Sequence, residues 1–290
     1  MRCANRVNKT GLRQVLLLVG TTLLLGTATT LAQRAPPAPA PPTEAGPPPS
    51  AQQYEQCLAL ARADPQRAYD EAVAWRGLGG SFPADHCAAV ALIALKRYPD
   101  AAAKLERMAG AMMQSDPSLR GGALEQAGNA WLLAGRSSEA KTDFDAALSF
   151  KPTDPDILID RAEAHALGGN FFDAVDDLNR ALEIAPGRAD ALIYRASAYR
   201  QLNSLDLALD DAEHALAIEP NAVAGLLERG NIRRLKGDRA GATADWQHLA
   251  ELAPDSAEAL AAKNNLARLD NEPSVSDGAA SSAPTSAAKP

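Results

Sequence analysis

The sequence lacks the motifs that carry the chemistry of the common enzyme classes. It has no G-x-S-x-G nucleophile elbow, no Walker-type phosphate loop and no dinucleotide-binding glycine motif. Only four histidines are present, and neither H-E-x-x-H nor C-x-x-C-H occurs. We therefore expect no catalytic residues, no metal site and no cofactor.

Basic residues are also scarce. The 290 residues contain 29 Lys and Arg against 36 Asp and Glu, which gives a formal net charge of −7. Four of the basic residues lie within the first 13 positions, and subtracting them leaves 25 against 36, or −11. A chain this acidic has no basic stripe for a nucleic acid and no attraction to an anionic membrane surface.

The N-terminus has the layout of a secretory signal peptide, predicted over residues 1–32. Basic residues precede an uncharged apolar run from Val15 to Ala32, and Thr30-Leu31-Ala32 offers the small residues of a cleavage site. Cleavage after Ala32 would place the mature protein in the periplasm or outside the cell. The alternative is an uncleaved N-terminal anchor, because about 20 apolar residues span a bilayer.

Cysteine is rare as well, with three residues in the chain. Cys3 belongs to the predicted signal peptide, so the mature chain keeps Cys57 and Cys87. In an oxidising compartment this pair predicts one disulfide, which would stabilise the fold by about 3.5 kcal/mol on the chain-entropy model. Two buried free thiols are the alternative. A thiol redox site is a weaker hypothesis, because the sequence has no C-x-x-C.

Both ends of the mature chain differ in composition from its middle. Residues 33–52 are rich in proline and predict an extended linker or a disordered N-terminus. Residues 272–290 are small, polar and almost uncharged, which predicts a disordered tail.

A regular period organises the middle of the chain. Pro152, Pro186, Pro220 and Pro254 each follow the previous one by 34 positions. Between successive prolines lie two helical patterns, separated by a turn that contains glycine or asparagine. A fixed period of this size predicts an array of stacked helix-turn-helix units.

The positions that recur with this period explain how the paired helices pack. Small residues in the first and second helices would let the two helices approach closely, and a third series would supply the apolar core. The three series are Gly128, Ala162, Ala196 and Gly230; Ala140, Ala174, Ala208 and Ala242; and Phe144, Leu178, Ala212 and Trp246.

Charged residues recur at the same interval. Asp143, Asp177, Asp211 and Asp245 share one position on the second helices, and Arg161, Arg195 and Arg229 share another on the first helices. We interpret these series as ion pairs that fix helix register, each contributing about 0–1 kcal/mol if exposed. A ladder of charges for a ligand is the less favoured interpretation.

On these residues the chain resembles the tetratricopeptide repeat family, of an exported bacterial type. The unit that ends at Pro186 carries the family pattern at Leu158, Ala162, His165, Ala174, Leu178 and Ala181, with His165 as a departure from an apolar residue. The resemblance implies an all-α, right-handed superhelical solenoid. Its parts are degenerate repeats over 53–120, four regular repeats over 121–254 and a capping helix over 255–271.

In this family the first helices line a concave surface, so the resemblance implies a peptide-binding face there. An ordinary solvated surface is the alternative interpretation. The early units are acidic and the later ones more basic, which would orient a bound segment. The asparagines match a clamp for chaperone C-termini, but Glu125 and Leu227 replace its lysines, so chaperone binding is not expected. The implied face consists of Glu125, Asn129, Asp156, Glu163, Tyr194, Ser197, Arg200, Asn231 and Arg234.

The functional hypothesis is therefore a non-enzymatic scaffold or adaptor that binds a protein or peptide segment. The first alternative is a structural module that associates with further copies of itself into a homo-oligomer. The second, from the enzyme class, is a thiol redox protein that uses Cys57 and Cys87.

Overall fold

The computed structural model describes residues 49–112 and 116–271. The predicted signal peptide, most of the predicted linker and the predicted tail lie outside these residues. The described part of the chain contains helices and no strands. None of the helices in these two ranges is both long enough and apolar enough to cross a bilayer.

The chain divides into two compact units, Met1–Pro152 and Thr153–Pro290. Within each unit every helix packs against the next one along the chain, which confirms the predicted all-α stack of helix-turn-helix pairs. The described part of the first unit contains α1 (Pro49–Ala63), α2 (Pro65–Gly77), α3 (Ser81–Ala94), α4 (Tyr98–Ala111), α5 (Pro117–Leu133) and α6 (Ser137–Phe150). That of the second contains α7 (Pro155–Leu167), α8 (Phe171–Ile184), α9 (Ala189–Gln201), α10 (Leu205–Ile218), α11 (Val223–Leu235), α12 (Arg239–Leu252) and α13 (Ala257–Asn271).

One residue in each regular repeat turns the chain between the paired helices. Gly135, Gly169, Asn203 and Gly237 recur at the period of the prolines, and all have positive φ angles between 57° and 85°. Glycine and asparagine tolerate this left-handed conformation, which ends a helix and satisfies its last carbonyl groups. The predicted turns are therefore confirmed at these positions.

Aspartate-proline pairs start three of the helices. Asp64, Asp116 and Asp154 cap α2, α5 and α7, and each carboxylate accepts a hydrogen bond from a backbone N–H of the first turn. The proline that follows each aspartate occupies a position whose N–H needs no partner. The same tolerance for proline explains why α1 begins at Pro49, inside the segment that we predicted as linker up to residue 52.

The small residues of the first helices lie against the core residues of the second helices, as predicted. Gly128 faces Phe144, and a Cβ added there would lie 2.6 Å from Phe144 Cε1. Gly230 faces Trp246 in the same way, because an added Cβ would lie 2.7 Å from Trp246 Cδ1. The two aromatic side chains are fully buried. Glycine is therefore found where the facing core residue is largest.

The two recurring charge series pair within each repeat of the second unit. Arg161, Arg195 and Arg229 each bind the aspartate 16 positions later through two hydrogen bonds, at 2.5–3.0 Å. The aspartates are buried and the arginines about one-fifth exposed. The predicted pairing is confirmed for these three aspartates, and the pairs are more buried than the exposed geometry that we assumed.

Candidate functional site

The implied binding face is distributed over four first helices, and all nine of its residues are partly exposed. In the first unit, α5 carries Glu125 and Asn129. In the second unit the face comprises Asp156 and Glu163 on α7, Tyr194, Ser197 and Arg200 on α9, and Asn231 and Arg234 on α11. We call the second group the inner surface.

The helices that carry the inner surface lie close to one another. In the second unit α7 contacts α9, α9 contacts α11 and α11 contacts α13, whereas α8, α10 and α12 make no comparable contacts among themselves in the described chain. First helices that are more crowded than second helices make a stack bend toward the first helices. The first helices that carry the inner surface therefore lie on the inside of the bend of the second unit.

Neighbouring first helices exchange side-chain hydrogen bonds across the inner surface. The Tyr194 hydroxyl donates to Glu163 Oε2 at 3.1 Å, which links α9 to α7. Farther along the stack, Asn265 Nδ2 of α13 donates to Asn231 Oδ1 at 2.9 Å. These bonds hold the four polar side chains in a defined arrangement.

Arg200 is held by a residue that the sequence analysis did not single out. Its Nε donates to Glu228 Oε1 at 2.5 Å, and Glu228 is 2% exposed. Glu228 follows Tyr194 by one repeat period, so its place in the repeat could have indicated a contact with the preceding first helix. Ser197 lies beside this pair, with its Oγ 3.5 Å from Arg200 Nη2.

The pairing of charges weakens the predicted gradient from acidic to basic units. Asp156 forms an ion pair with Arg188 at 2.7 Å, and Arg188 also binds Asp190. The hydrogen bond to Asp190, together with the pairing to Asp156, raises the pKa of Arg188. Each charge in such a pair cancels part of the electric field of its partner. The structure therefore gives little support to the prediction that net charge alone orients a bound segment.

In the first unit Glu125 is likewise neutralised by Lys151, whose Nζ lies 3.3 Å from Glu125 Oε2.

A chain of side-chain hydrogen bonds joins three first helices of that unit. His86 of α3 forms hydrogen bonds with Tyr54 of α1 through Nδ1 at 2.7 Å and with Gln126 of α5 through Nε2 at 2.7 Å. Burial lowers the pKa of His86, partly offset by the hydrogen bond with Gln126.

The two cysteines of the mature chain lie next to these hydrogen bonds. Cys57 and Cys87 face each other between α1 and α3, with their Cα atoms 6.1 Å apart and their sulfur atoms within bonding distance. Both side chains are buried. This geometry is the one that a disulfide requires.

The chemical capacity of these surfaces is that of hydrogen bonding and charge pairing. Among residues 49–112 and 116–271, no group of three or more His, Cys, Asp or Glu side chains is placed to hold a metal ion. The inner surface presents hydroxyl, amide, carboxylate and guanidinium groups along successive helices, which are groups that recognise an extended or helical peptide.

Comparison with known proteins gives results for the fold alone. No protein-family model matches the chain, and no curated protein matches it either. Among solved structures, TTC0263, a thermophilic TPR protein in Thermus thermophilus, matches with a TM-score of 0.52 and 22% identity, covering 63% of this chain and 96% of the other. A MamA RS-1 double mutant matches with a TM-score of 0.51 and 18% identity, covering 64% and 96%.

Proposed function

We propose that this chain, which has the tetratricopeptide repeat fold, is a non-enzymatic scaffold that binds a protein or peptide segment on its inner surface. One observation carries the proposal. At the register of Glu163, Ser197 and Asn231 the side chain changes from repeat to repeat and stays partly exposed, whereas the packing positions of the same helices keep small or apolar residues.

A surface with these properties suits recognition. The backbone that carries it is fixed by helix stacking, so its side chains can vary without loss of the fold. The hydrogen bonds from Tyr194 to Glu163 and from Asn265 to Asn231 hold the side chains in a defined arrangement. Pre-organisation of this kind favours a specific partner over non-specific contact.

The test places a photo-crosslinking residue at Ser197, in the centre of the inner surface, and at Ala217 as a matched control. Ala217 is exposed on the second helix α10 of the same repeat. We expect one partner to be captured from position 197 and not from position 217, in cells that export the protein. Equal capture at both positions would contradict the proposal.

Binding of the identified segment is then measured by titration calorimetry. Ser197→Arg adds bulk and one positive charge to the inner surface, and Ala217→Arg makes the same charge change on α10. We expect the first variant to lose affinity at least tenfold, which corresponds to about 1.4 kcal/mol, while the second binds as the unmodified protein does. Circular dichroism must show the same helicity for both.

The proposed location of this scaffold is the periplasm or the outside of the cell, with a disulfide between Cys57 and Cys87. The layout of residues 1–32 supports export, and the facing of the two cysteines supports the bond. N-terminal sequencing of the exported protein should find Gln33 as the first residue. Peptide mapping without reductant should find the two cysteine peptides joined, and free thiols at both positions would refute the bond.

Self-association is a second candidate, because the second unit exposes large apolar side chains at the ends of its helix pairs. Leu167, Phe172, Leu207 and Leu235 are 46–74% exposed and lie near the turns between first and second helices. Light scattering across a range of protein concentrations tests this candidate. A molar mass that stays at that of one chain would exclude it.

A further inference from the structure

A three-part polar contact around one arginine of the second unit has a counterpart in the first unit that lacks the arginine. In the second unit Arg195 of α9 lies between two second helices, donating to Asp211 of α10 and to Asn179 of α8 at 2.7 and 2.8 Å. The hydrogen bonds with Asp211 raise the pKa of Arg195. The guanidinium thus joins an acceptor on its own repeat to an acceptor on the preceding one.

At the equivalent place in the first unit the arginine is missing. Ala127, which is fully buried, stands one repeat period before Arg161 and precedes Asp143 by the same offset that separates Arg161 from Asp177. Both acceptors remain, and both are acids: Asp143 on α6, and Glu106 on the preceding second helix α4. Two carboxyl groups therefore interact where the α9 repeat places the Arg195 guanidinium between its two acceptors.

Trp131 of α5 occupies the gap between the two acids. Its Nε1 donates to Glu106 Oε1 at 2.6 Å and also lies close enough to Asp143 to favour the ionised form of that carboxyl. The Arg136 guanidinium stacks on the indole, 4.5 Å from a ring centroid, and is occupied by Glu139. One neutral N–H cannot satisfy two carboxylates, and Asp143 Oδ2 is buried without a hydrogen-bond partner among the described residues.

We infer that Asp143 and Glu106 form a proton-binding site, in which a proton on Asp143 replaces the missing arginine and couples the packing of α4, α5 and α6 to pH. Asp143 is 7% exposed and its Oδ2 has no hydrogen-bond partner among the described residues, an environment that favours the protonated form of the carboxyl group. Burial, followed by the charge of Glu106, raises the pKa of Asp143 to about 7.

The direction of the pH effect follows from the raised pKa. An unfolded aspartate releases its proton near pH 4, whereas folded Asp143 keeps it until about pH 7. The folded state therefore binds more protons between these values, and its stabilisation by Asp143 is complete below about pH 4 and lost as the pH rises to about 7. In this window the unfolding equilibrium constant rises by up to about tenfold per pH unit from this residue.

The first experiment measures the titration of Asp143 directly. The carboxyl carbon of Asp143 is followed by NMR through a pH titration of the exported protein. We expect a midpoint close to neutrality, and a midpoint near the ordinary value of about 4 would overturn the inference. Glu106→Gln removes the facing charge while keeping a hydrogen-bond acceptor, so it should shift this midpoint toward lower pH.

The second experiment measures urea denaturation between pH 5 and 8 for the unmodified protein and for Asp143→Asn. Asparagine resembles the protonated acid, so the variant should gain stability relative to the unmodified protein as the pH rises. Asp177→Asn is the matched control, because Asp177 has Arg161 as its partner, and it should lose stability across the whole range. Parallel pH profiles for Asp143→Asn and the unmodified protein would refute the proton site.

Discussion

The contact between Gly128 and Phe144 tests the packing rule of this fold most directly. A Cβ at Gly128 would lie 2.6 Å from Phe144 Cε1 and 2.8 Å from Cζ, and the ring is fully buried. Gly128→Ala should gain up to about 1 kcal/mol in helix propensity. Overpacking of a buried ring costs about 1–3 kcal/mol, so after the gain in propensity we expect a net loss of about 0–2 kcal/mol in the free energy of unfolding.

A second substitution should relieve the clash. The next repeat pairs Ala162 with Leu178 at the same positions, so Gly128→Ala combined with Phe144→Leu recreates a pair that the chain already uses. Phe144→Leu alone should cost about 1–2 kcal/mol through lost apolar contact. If the packing rule holds, the double variant is more stable than the sum of the single effects predicts, by about 1–2 kcal/mol.

The assay is urea denaturation followed by circular dichroism, with Gly122→Ala as a matched control on α5. An added Cβ at Gly122 meets only the Lys151 Nζ, 4.0 Å away, so this variant should gain stability from helix propensity, by up to about 1 kcal/mol. Two outcomes would refute the reasoning: a stabilising effect of Gly128→Ala equal to that of the control, or strict additivity of the two substitutions in the double variant.

Three further predictions concern groups that the fold holds in place. Arg195→Ala should cost about 2–3 kcal/mol by denaturation because it leaves a buried aspartate without its arginine; Arg229→Ala should cost less, since a second arginine already lies 2.9 Å from the same carboxylate. Alanine at both Cys57 and Cys87 should lower the unfolding free energy by about 3.5 kcal/mol in non-reducing buffer, and by little in reductant. The pKa of the His86 imidazole is lowered chiefly by burial, so a proton NMR titration should find it below the ordinary value of about 6.5. The contribution of His86 to stability is therefore present above about pH 6.5 and is lost as the pH falls through the lowered pKa.

The sequence predicts the stack because the requirements of stacking repeat with the chain. A left-handed residue at Gly169 or Asn203, a small residue at Ala162 or Ala196 and a proline after each second helix are all local demands, and each recurs once per repeat period. Any one of these residues alone would be compatible with several folds. Because all of them recur with the same period, they predict one architecture, since a different fold would have to satisfy every one of these requirements at once.

Two contacts of the inner surface are less predictable, because they join residues that are not one repeat apart, whereas Asn231 and Asn265 are separated by one full period. Arg200 and Glu228 are 28 positions apart, and Tyr194 and Glu163 are 31 apart. The partner of a side chain there depends on its length and rotamer, which the period does not specify. For this reason the sequence could nominate Arg200 as a surface charge while missing the buried Glu228 that holds it.

The proton site shows how a break in the period acquires a consequence. The missing arginine is visible in the sequence, because Ala127 interrupts the series that continues with Arg161. Its effect depends on Glu106, which lies in a degenerate repeat whose alanine Ala101 precedes the equivalent Ala140 by 39 positions instead of 34. A pair of acids can be recognised there only after the helices are stacked, since the period does not bring them into register. Where a regular repeat meets an irregular one, the helices still pack by the same rules, but the charged residues no longer recur at equivalent positions. At such a junction a repeat protein can therefore gain a property that its regular units lack.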